Sequence, residues 1–395
     1  MFERTKETKV LRDPIHGYIH IRYRVIWNCL NSREFQRLHR IHQLGGDFQV
    51  YHAAEHSRFG HSLGVYEVCR RMVTEVDSIA GALSESEKIA VMAAALLHDL
   101  GHGPYSHFFE SIQDISHEER TMRIIADPAS EVHQALTAED EKLPQEVIRI
   151  LKHEHQRPIL NQMISSQLDA DRMDYLLRDA YETGTSYGTF DLERVLRTLR
   201  ICDDMLCVKQ SGMHSIEDYI MARYHMYWQV YLHPDAKSYE MLLATFFKRY
   251  MEINEPIEVF EPLRHPLSNE EFFLMDECRM MYGFQCALNS KDAILRDFAD
   301  RILNRRLFAW IENPNEDQIR QLEERLKDRP YYLIEEPEHK GSFLPYSEER
   351  SKIWILTNRN ELKPLSQCSE IVRALLKMED VPEKRIFYPK DIEIH

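Results

Sequence analysis

Apolar residues along this chain fall mostly at helical steps. Over 62–80, Leu63, Tyr66, Cys69, Val73 and Val76 recur at three- and four-residue intervals, the spacing of one helix face. The run 87–98 is apolar almost all round, which predicts a central helix buried on every side. Residues 118–126, 144–154, 161–182, 191–199, 214–231 and 235–252 read as further helices, so the chain from Cys29 to about Tyr250 is mainly helical. Both ends depart from this pattern. Residues 10–24 (VLRDPIHGYIHIRYR) read as a short hairpin, punctuated by Pro14 and Gly17, with Tyr18, Ile19 and Ile21 favouring strand. Beyond residue 255, EPIEVFEPLRHPL is a Pro-rich connection, after which 291–312 and 315–328 are helical again. YYLIEE (331–336), KIWILT (352–357) and RIFYP (385–389) read as strands, with a helix at 366–378. The expected architecture is mainly α. It has an N-terminal hairpin segment (1–28), a helical core (29–255), a helical extension (256–328) and a small C-terminal α+β module (329–395).

Length and composition narrow the class. A chain of 395 residues is too long for one compact core and implies two or three domains or subdomains. With 43% hydrophobic residues, it has the make-up of a folded soluble protein. No apolar run approaches the roughly 20 residues of a membrane span, and MFERTKETK lacks the apolar centre of a signal peptide. Seven dispersed cysteines without a CxxC pair read as reduced thiols, and the expected location is cytoplasmic. A net charge of −15 argues against broad nucleic-acid binding while leaving room for a local basic pocket.

The candidate chemistry begins at LLHDLGHGPYSH (96–107), where the most apolar helix runs into a cluster of imidazoles and a carboxylate. Gly101 and Pro104 stop the helix just after His98-Asp99, and at such an end both side chains can converge on one ion. An isolated His-Asp pair is more often a structural contact than a ligand pair. Two further segments change that balance. EHSRFGHSLGVYE (55–67) puts His61 at a helix start, and QLDADRMDYLLRD (167–179) puts Asp169, Asp171, Asp174 and Asp179 in a helical stretch. Within the latter, Asp171, Tyr175, Arg178 and Asp179 share a face.

The order His61, His98-Asp99, Asp171 is the HD-domain pattern. Together with DPIHGYI (13–19), EFQRLHRIHQLGG (34–46), ALLHDLGHGPYSHFFE (95–110), SHEER (116–120) and LDADRMDYLLRDA (168–180), it resembles the HD-superfamily phosphohydrolases over roughly residues 10–250. The branch it is most similar to contains the deoxynucleoside triphosphate triphosphohydrolases, including the human SAM-and-HD-domain enzyme. The resemblance makes 29–255 a catalytic core in which His61, His98, Asp99 and Asp171 hold one divalent metal; Mg, Mn, Fe, Ni and Zn remain open, and a further Mg can accompany the nucleotide. It makes His102, His107, Glu110, His117 and Glu118 a catalytic group. His117 is a candidate acid, or His102 a phosphate contact, with Glu110 or Glu118 orienting an imidazole. Arg58, Arg172 and Arg223 match phosphate-binding positions, with Arg172 standing where the human enzyme has Lys. Gln43, Asp179 and Tyr231 match sugar contacts, and a Tyr beneath the 2′ carbon would reject ribose; Tyr175 lies on the same wall as Asp171.

The implied activity is metal-dependent hydrolysis of dNTPs to deoxynucleoside and tripolyphosphate. The resemblance also implies a homotetramer with dNTP or GTP activator sites between subunits. In the matching activator segment CLNSREFQRLHRIHQ (29–43), Asn31 and His39 replace an Asp and an Arg of the human enzyme, which puts guanine specificity in doubt. No SAM-domain-like segment is expected before the HD region. Two alternatives stay open: another HD-type nucleotide phosphohydrolase acting on monophosphates, GTP or an alarmone, and a nucleotide-binding regulatory protein.

Overall fold

The computed structural model describes residues 2–336, 346–349, 351–378 and 384–394, without the side chain of His107. The architecture is mainly α, as the periodicity implies. Its centre is the helix Glu85–Leu97, buried continuously from Ile89 to Leu97. Ser84 starts it with a capping box: its hydroxyl accepts from Glu87 N while the Glu87 carboxylate accepts from Ser84 N at 2.7 Å. The helices Arg58–Glu75 and Leu143–Leu151 pack on this centre, and Ala170–Thr183 packs on the other side of Arg58–Glu75.

At the N-terminus, strands Arg4–Asp13 and Gly17–Tyr23 pair antiparallel, with Asp13 opposite Gly17. Ile19 and Ile21 are fully buried, and Tyr66 of the helix Arg58–Glu75 donates to the His20 carbonyl at 3.0 Å. The hairpin is therefore fastened to the helical core along one edge.

Three departures from the sequence reading have local causes. The helix expected over 161–182 is two helices, Pro158–Ile164 and Ala170–Thr183. Asp169 breaks the run by capping: its carboxylate accepts from both Ser166 N and Arg172 N at 2.7 Å. In the stretch read as mainly helical, Leu199–Cys202 and Met205–Lys209 form a hairpin, turned by Asp203 and Asp204 at φ 49° and 59°. The helix expected over 291–312 ends at Leu303, and Ala309–Glu312 is a strand.

The last departure bears on the C-terminal module. Arg385–Tyr388 lies between Ala309–Glu312 and Ile334–Glu335 in a three-stranded antiparallel sheet. Trp354–Leu356 pairs in parallel with Met205–Lys209, so the hairpin of the core completes a four-stranded sheet with Leu362–Pro364 at its edge. The boundary drawn at 329 thus cuts across both sheets, because Trp354–Leu356 and Arg385–Tyr388 are strand partners of earlier segments. Parts of the expected strand 331–336 and of the helix 366–378 are irregular or split, the latter into Leu365–Cys368 and Glu370–Leu375. Among the described residues, no helix is long and apolar enough to cross a membrane.

Candidate metal centre and active site

His61, His98, Asp99 and Asp171 meet, although three separate helical segments carry them. His61 Nε2 lies 3.0 Å from Asp171 and 3.8 Å from Asp99. His98 Nε2 lies 3.3 Å from Asp99 and 3.7 Å from Asp171. Each imidazole is held by its other nitrogen. His61 Nδ1 donates to Asp174 at 2.8 Å, and His98 Nδ1 donates to the Ala95 carbonyl at 2.9 Å. These bonds fix the tautomers, so that both Nε2 lone pairs face the carboxylates. His98 Nε2 is buried and makes no hydrogen bond among the described residues. Two imidazole nitrogens and two carboxylates aimed at one point suit a divalent first-row cation or Mg, and the orphaned His98 Nε2 lacks only such a partner.

The electrostatics agree. Burial works against a proton on His61, yet hydrogen bonds to Asp171 and Asp174 hold its pKa up to about 10. Burial likewise opposes ionisation of Asp99, but His98 and Arg58 keep its carboxyl well below the usual carboxylate range. The cluster therefore favours positive charge at its centre, whether carried by protons or by a metal ion.

The loop after Asp99 is held from several sides. Gly101 lets the helix His117–Ala126 close on it: a Cβ there would lie 2.0 Å from the His117 carbonyl oxygen. Gly101 N donates to Thr121 Oγ1, which in turn donates to the His98 carbonyl. Arg37, fully buried and stacked on Phe272, donates to the carbonyls of His102 and Met275. Tyr105 and Ser106 adopt left-handed φ values of 58° and 55°. They are restrained by Glu277, which accepts from Tyr105 N, and by Arg58, which donates to Ser106 Oγ at 2.8 Å. The helical extension thus buttresses the site through Glu277 and Met275.

The remaining candidates fall into two groups. His102 stacks on His117 at 3.8 Å between ring centroids, and His117 Nδ1 donates to Glu110 at 2.7 Å. Glu110, rather than Glu118, is the carboxylate that orients an imidazole. Burial, and then the Arg58 charge, push the His102 pKa well below the histidine range. His117 and Glu118 line a cleft shared with His98, Asp99 and Asp171. The His107 side chain lies outside the described residues.

On the other side of Asp171, Asp179 accepts from His56 Nε2 and from the Tyr231 hydroxyl, both at 2.8 Å. Gln43 N donates to the His56 carbonyl, and the Tyr175 ring lies 6.2 Å from Tyr231 and 6.4 Å from His61. Tyr231 ends a π-helical turn, Tyr227–Tyr231, that extends the helix Met213–Met226. The two outer cations are engaged at the 166–169 turn: Arg172 with Asp169 and the Ser166 carbonyl, Arg223 with Gln167 at 3.0 Å. Arg58 sits deeper than a phosphate contact on an open wall would, paired to Asp99.

Several residues of this assembly had no role in the sequence reading. Asp174 and Arg178 were visible only as members of a charged helix, yet both are at most 2% exposed, which excludes a solvated Asp-Arg ladder there. His16 of the DPIHGYI block bonds to Asp174, His56 and Ser106 lie outside the periodic segments, and Glu277 opens a helix of the extension far along the chain.

Comparison with known proteins agrees with this geometry. The HD domain model matches residues 58–179, the span from Arg58 to Asp179, and the HD associated region model matches 190–330. An uncharacterized protein of Bacillus subtilis is 43% identical over 98% of this chain and 93% of its own length. The deoxynucleoside triphosphate triphosphohydrolase SAMHD1 homolog of Dictyostelium discoideum is 27% identical over 78% of this chain, which spans 60% of that protein. A crystal structure of a phosphohydrolase from Bacteroides thetaiotaomicron superposes with a TM-score of 0.86 at 28% identity, covering 97% of this chain and all of the other. With the His/Asp quartet assembled inside the matched domain, the chain belongs to the HD-domain phosphohydrolases, in the part of that family that resembles the deoxynucleoside triphosphate triphosphohydrolases.

Proposed function

We propose that the protein hydrolyses deoxynucleoside triphosphates to deoxynucleoside and tripolyphosphate in a metal-dependent reaction. The observation that carries this reading is the succession of groups to either side of the His/Asp quartet. The His102–His117–Glu110 set, the His/Asp quartet and the Tyr175–Tyr231–Asp179 seat follow one another, with Arg172 and Arg223 beside them. A relative bearing the name of that activity, at 27% identity, supports it.

His61, His98, Asp99 and Asp171 would hold the metal, which when bound would lower the pKa of water and neutralise charge on the attacked phosphate. The rest falls to the protein. Cleavage of the bond between the α-phosphorus and the 5′ oxygen transfers the oxygen of water to the triphosphate and requires a proton at the departing 5′ oxygen. His117, its ring fixed by Glu110, supplies that proton. His102 stays neutral and donates a hydrogen bond to a phosphate oxygen. Asp179 and the Tyr231 hydroxyl hold the sugar, with the Tyr175 ring against its 2′ face. Arg172 and Arg223 take the outer phosphates, exchanging their bonds to Asp169 and Gln167. His107 and Glu118 complete the phosphate side and Gln43 the sugar side. The same reading includes a homotetramer activated by a dNTP or GTP bound near residues 29–43, where His39 is stacked on Phe59.

The test is a product assay on the purified chain with Mn or Mg. Each dNTP is supplied alone and in pairs, and phosphate, pyrophosphate and tripolyphosphate are resolved by ion chromatography. Tripolyphosphate with deoxynucleoside, lost in Asp171→Ala, is the expected result, and activity confined to pairs identifies the activator. Pyrophosphate or orthophosphate as the first product would replace this reading with another nucleotide phosphohydrolase. Nucleotide binding without turnover would replace it with a regulatory protein.

A further inference from the structure

The first strand of the N-terminal hairpin is largely exposed, and the turn that follows sends two side chains inward. The strand Arg4–Asp13 is mostly exposed until Asp13, which is 7% exposed, and the His16 side chain in the turn is 1% exposed. The turn is shaped to present that side chain. Asp13 Oδ1 accepts from Ile15 N at 2.8 Å and from His16 N at 2.9 Å, and Gly17 closes the turn at φ +74°. His16 Nε2 then reaches Asp174 Oδ1 at 2.7 Å.

The other oxygen of Asp174 is the one that holds His61 Nδ1. Arg178 grips both Asp174 oxygens through Nε and Nη2 at 2.9 Å and returns to Asp13 Oδ2 at 3.0 Å. The result is a closed ring, Asp13–Arg178–Asp174–His16, with His61 as its one branch toward the quartet. Gly64 makes room for it, because a Cβ there would stand 1.8 Å from Asp174 Oδ1.

We propose that His16 and Asp174 are positioning residues of the metal centre, and that the hairpin tip is a working part of that centre although it lies outside the matched HD domain. The inference rests on reading His61 as a ligand. A ligating imidazole is oriented by the acceptor on its far nitrogen, and that acceptor acts only as well as it is itself held. Arg178 stands on the same helix as Asp174 and fixes the carboxylate along that helix. His16 arrives from a separate element and fixes its rotation. Closing the fold at this point needs only the Arg178–Asp13 bond. The His16 bond goes instead to the carboxylate that aims His61.

The test measures metal, not turnover. The full chain is stripped with a chelator and titrated with Co2+, reading affinity and the visible absorption of the bound ion. In His16→Asn the side chain is too short to reach Asp174, and in His16→Phe the ring volume is kept without a donor. Both are expected to bind Co2+ on the order of tenfold more weakly, with shifted absorption bands and unchanged far-UV circular dichroism. His16→Gln, which carries a longer donor, is expected to recover most of the affinity. A folded His16→Asn or His16→Phe protein with wild-type affinity and spectrum would overturn the proposal. So would a His16→Gln protein as weak as the other two, since ring packing would then set the site. Wild-type protein that takes up no Co2+ would overturn the metal reading itself, and this inference with it. Failure to hydrolyse dNTPs would touch only the substrate assignment.

Discussion

Arg58 and Asp99 form a buried ion pair inside the ligand quartet: Arg58 Nη1 donates to Asp99 Oδ2, while Asp99 Oδ1 faces His98 Nε2 at 3.3 Å. One carboxylate therefore serves a cation of the protein and the candidate metal together. The Arg58 fork also reaches Ser106 Oγ at 2.8 Å and the Gln43 carbonyl at 3.3 Å, tying three segments to that carboxylate. A lysine cannot make this set of bonds. Arg58→Lys should fold but turn over nucleotide about 100-fold more slowly, on the scale of losing one preorganised electrostatic contact. Arg58→Met should also lower stability by about 3–5 kcal/mol, because it leaves Asp99 buried without its cation. Steady-state rates and urea midpoints check both, and wild-type turnover in Arg58→Lys would show that the fork has no part in the reaction.

Metal and protons compete for the same nitrogens, which gives a pH signature. The His61 pKa is raised from 6.5 to about 10, so its contribution to the stability of chelated protein is fully present below about 6.5 and is lost as pH rises toward 10. A bound dication replaces that proton and removes the dependence. Denaturant midpoints between pH 6 and 10 should fall in excess EDTA and stay nearly flat with saturating Mn. Parallel curves would mean that His61 is not a ligand.

Gly64 faces Asp174 and Arg178 with no space between. An added methyl would stand 1.8 Å from Asp174 Oδ1 and 2.5 Å from Arg178 Nη2, both part of a buried hydrogen-bonded network. Gly64→Ala should destabilise the fold by roughly 1–3 kcal/mol as overpacking. Gly81→Ala meets nothing within 4 Å and should be neutral or slightly stabilising within its helix. Urea denaturation of the pair decides the point; equal midpoints would mean that Asp174 and Arg178 yield easily.

How far the chain could be read beforehand depended on what each residue had to do. The buried helix Glu85–Leu97 was legible because periodicity encodes it directly, and the order His61, His98, Asp99, Asp171 because it resembles the HD-domain pattern. Asp169 was not. As one of several aspartates in a helical run it looked interchangeable with Asp171, and only its capping bonds to Ser166 N and Arg172 N distinguish it. The hairpin at 199–209 was hidden by a turn of two aspartates in the left-handed region, a weaker mark than Asn-Gly. His16 was quoted within its motif but had no assignable role, because its partner lies far along the chain at Asp174. Of the C-terminal strands, Trp354–Leu356 and Arg385–Tyr388 were recognised, Ile334–Glu335 lies within a longer expected strand, and Leu362–Pro364 was missed. Their partners were not legible, since pairing across such separations leaves no local trace.

Glu110 and His117 should behave as a unit. Glu110 accepts from His117 Nδ1 at 2.7 Å, which fixes the ring. Glu110→Gln keeps the shape but offers the ring an amide. It should lower kcat by about 100-fold with little change in KM, the pattern of a contact made mainly in the transition state. A raised KM at unchanged kcat would instead make His117 a binding group.

The sugar seat gives the sharpest chemical test. Tyr231 is locked to Asp179 by its hydroxyl, whereas Tyr175 is held by ring packing against Tyr231, between that residue and His61. If the Tyr175 ring closes the 2′ face, its area and not its hydroxyl excludes ribose. Tyr175→Phe should then keep the preference for deoxynucleotides, and Tyr175→Ala should relax it. The Tyr175→Ala change should raise kcat/KM for ATP or GTP relative to the matching dNTP by about 10-fold or more, the scale on which pocket shape alone discriminates. Tyr231→Phe breaks the bond to Asp179 and should weaken both sugars alike. If Tyr175→Ala leaves the ratio unchanged while Tyr231→Phe alters it, recognition of the sugar runs through the Asp179 hydrogen bonds, and Tyr175 serves only to wall the metal centre.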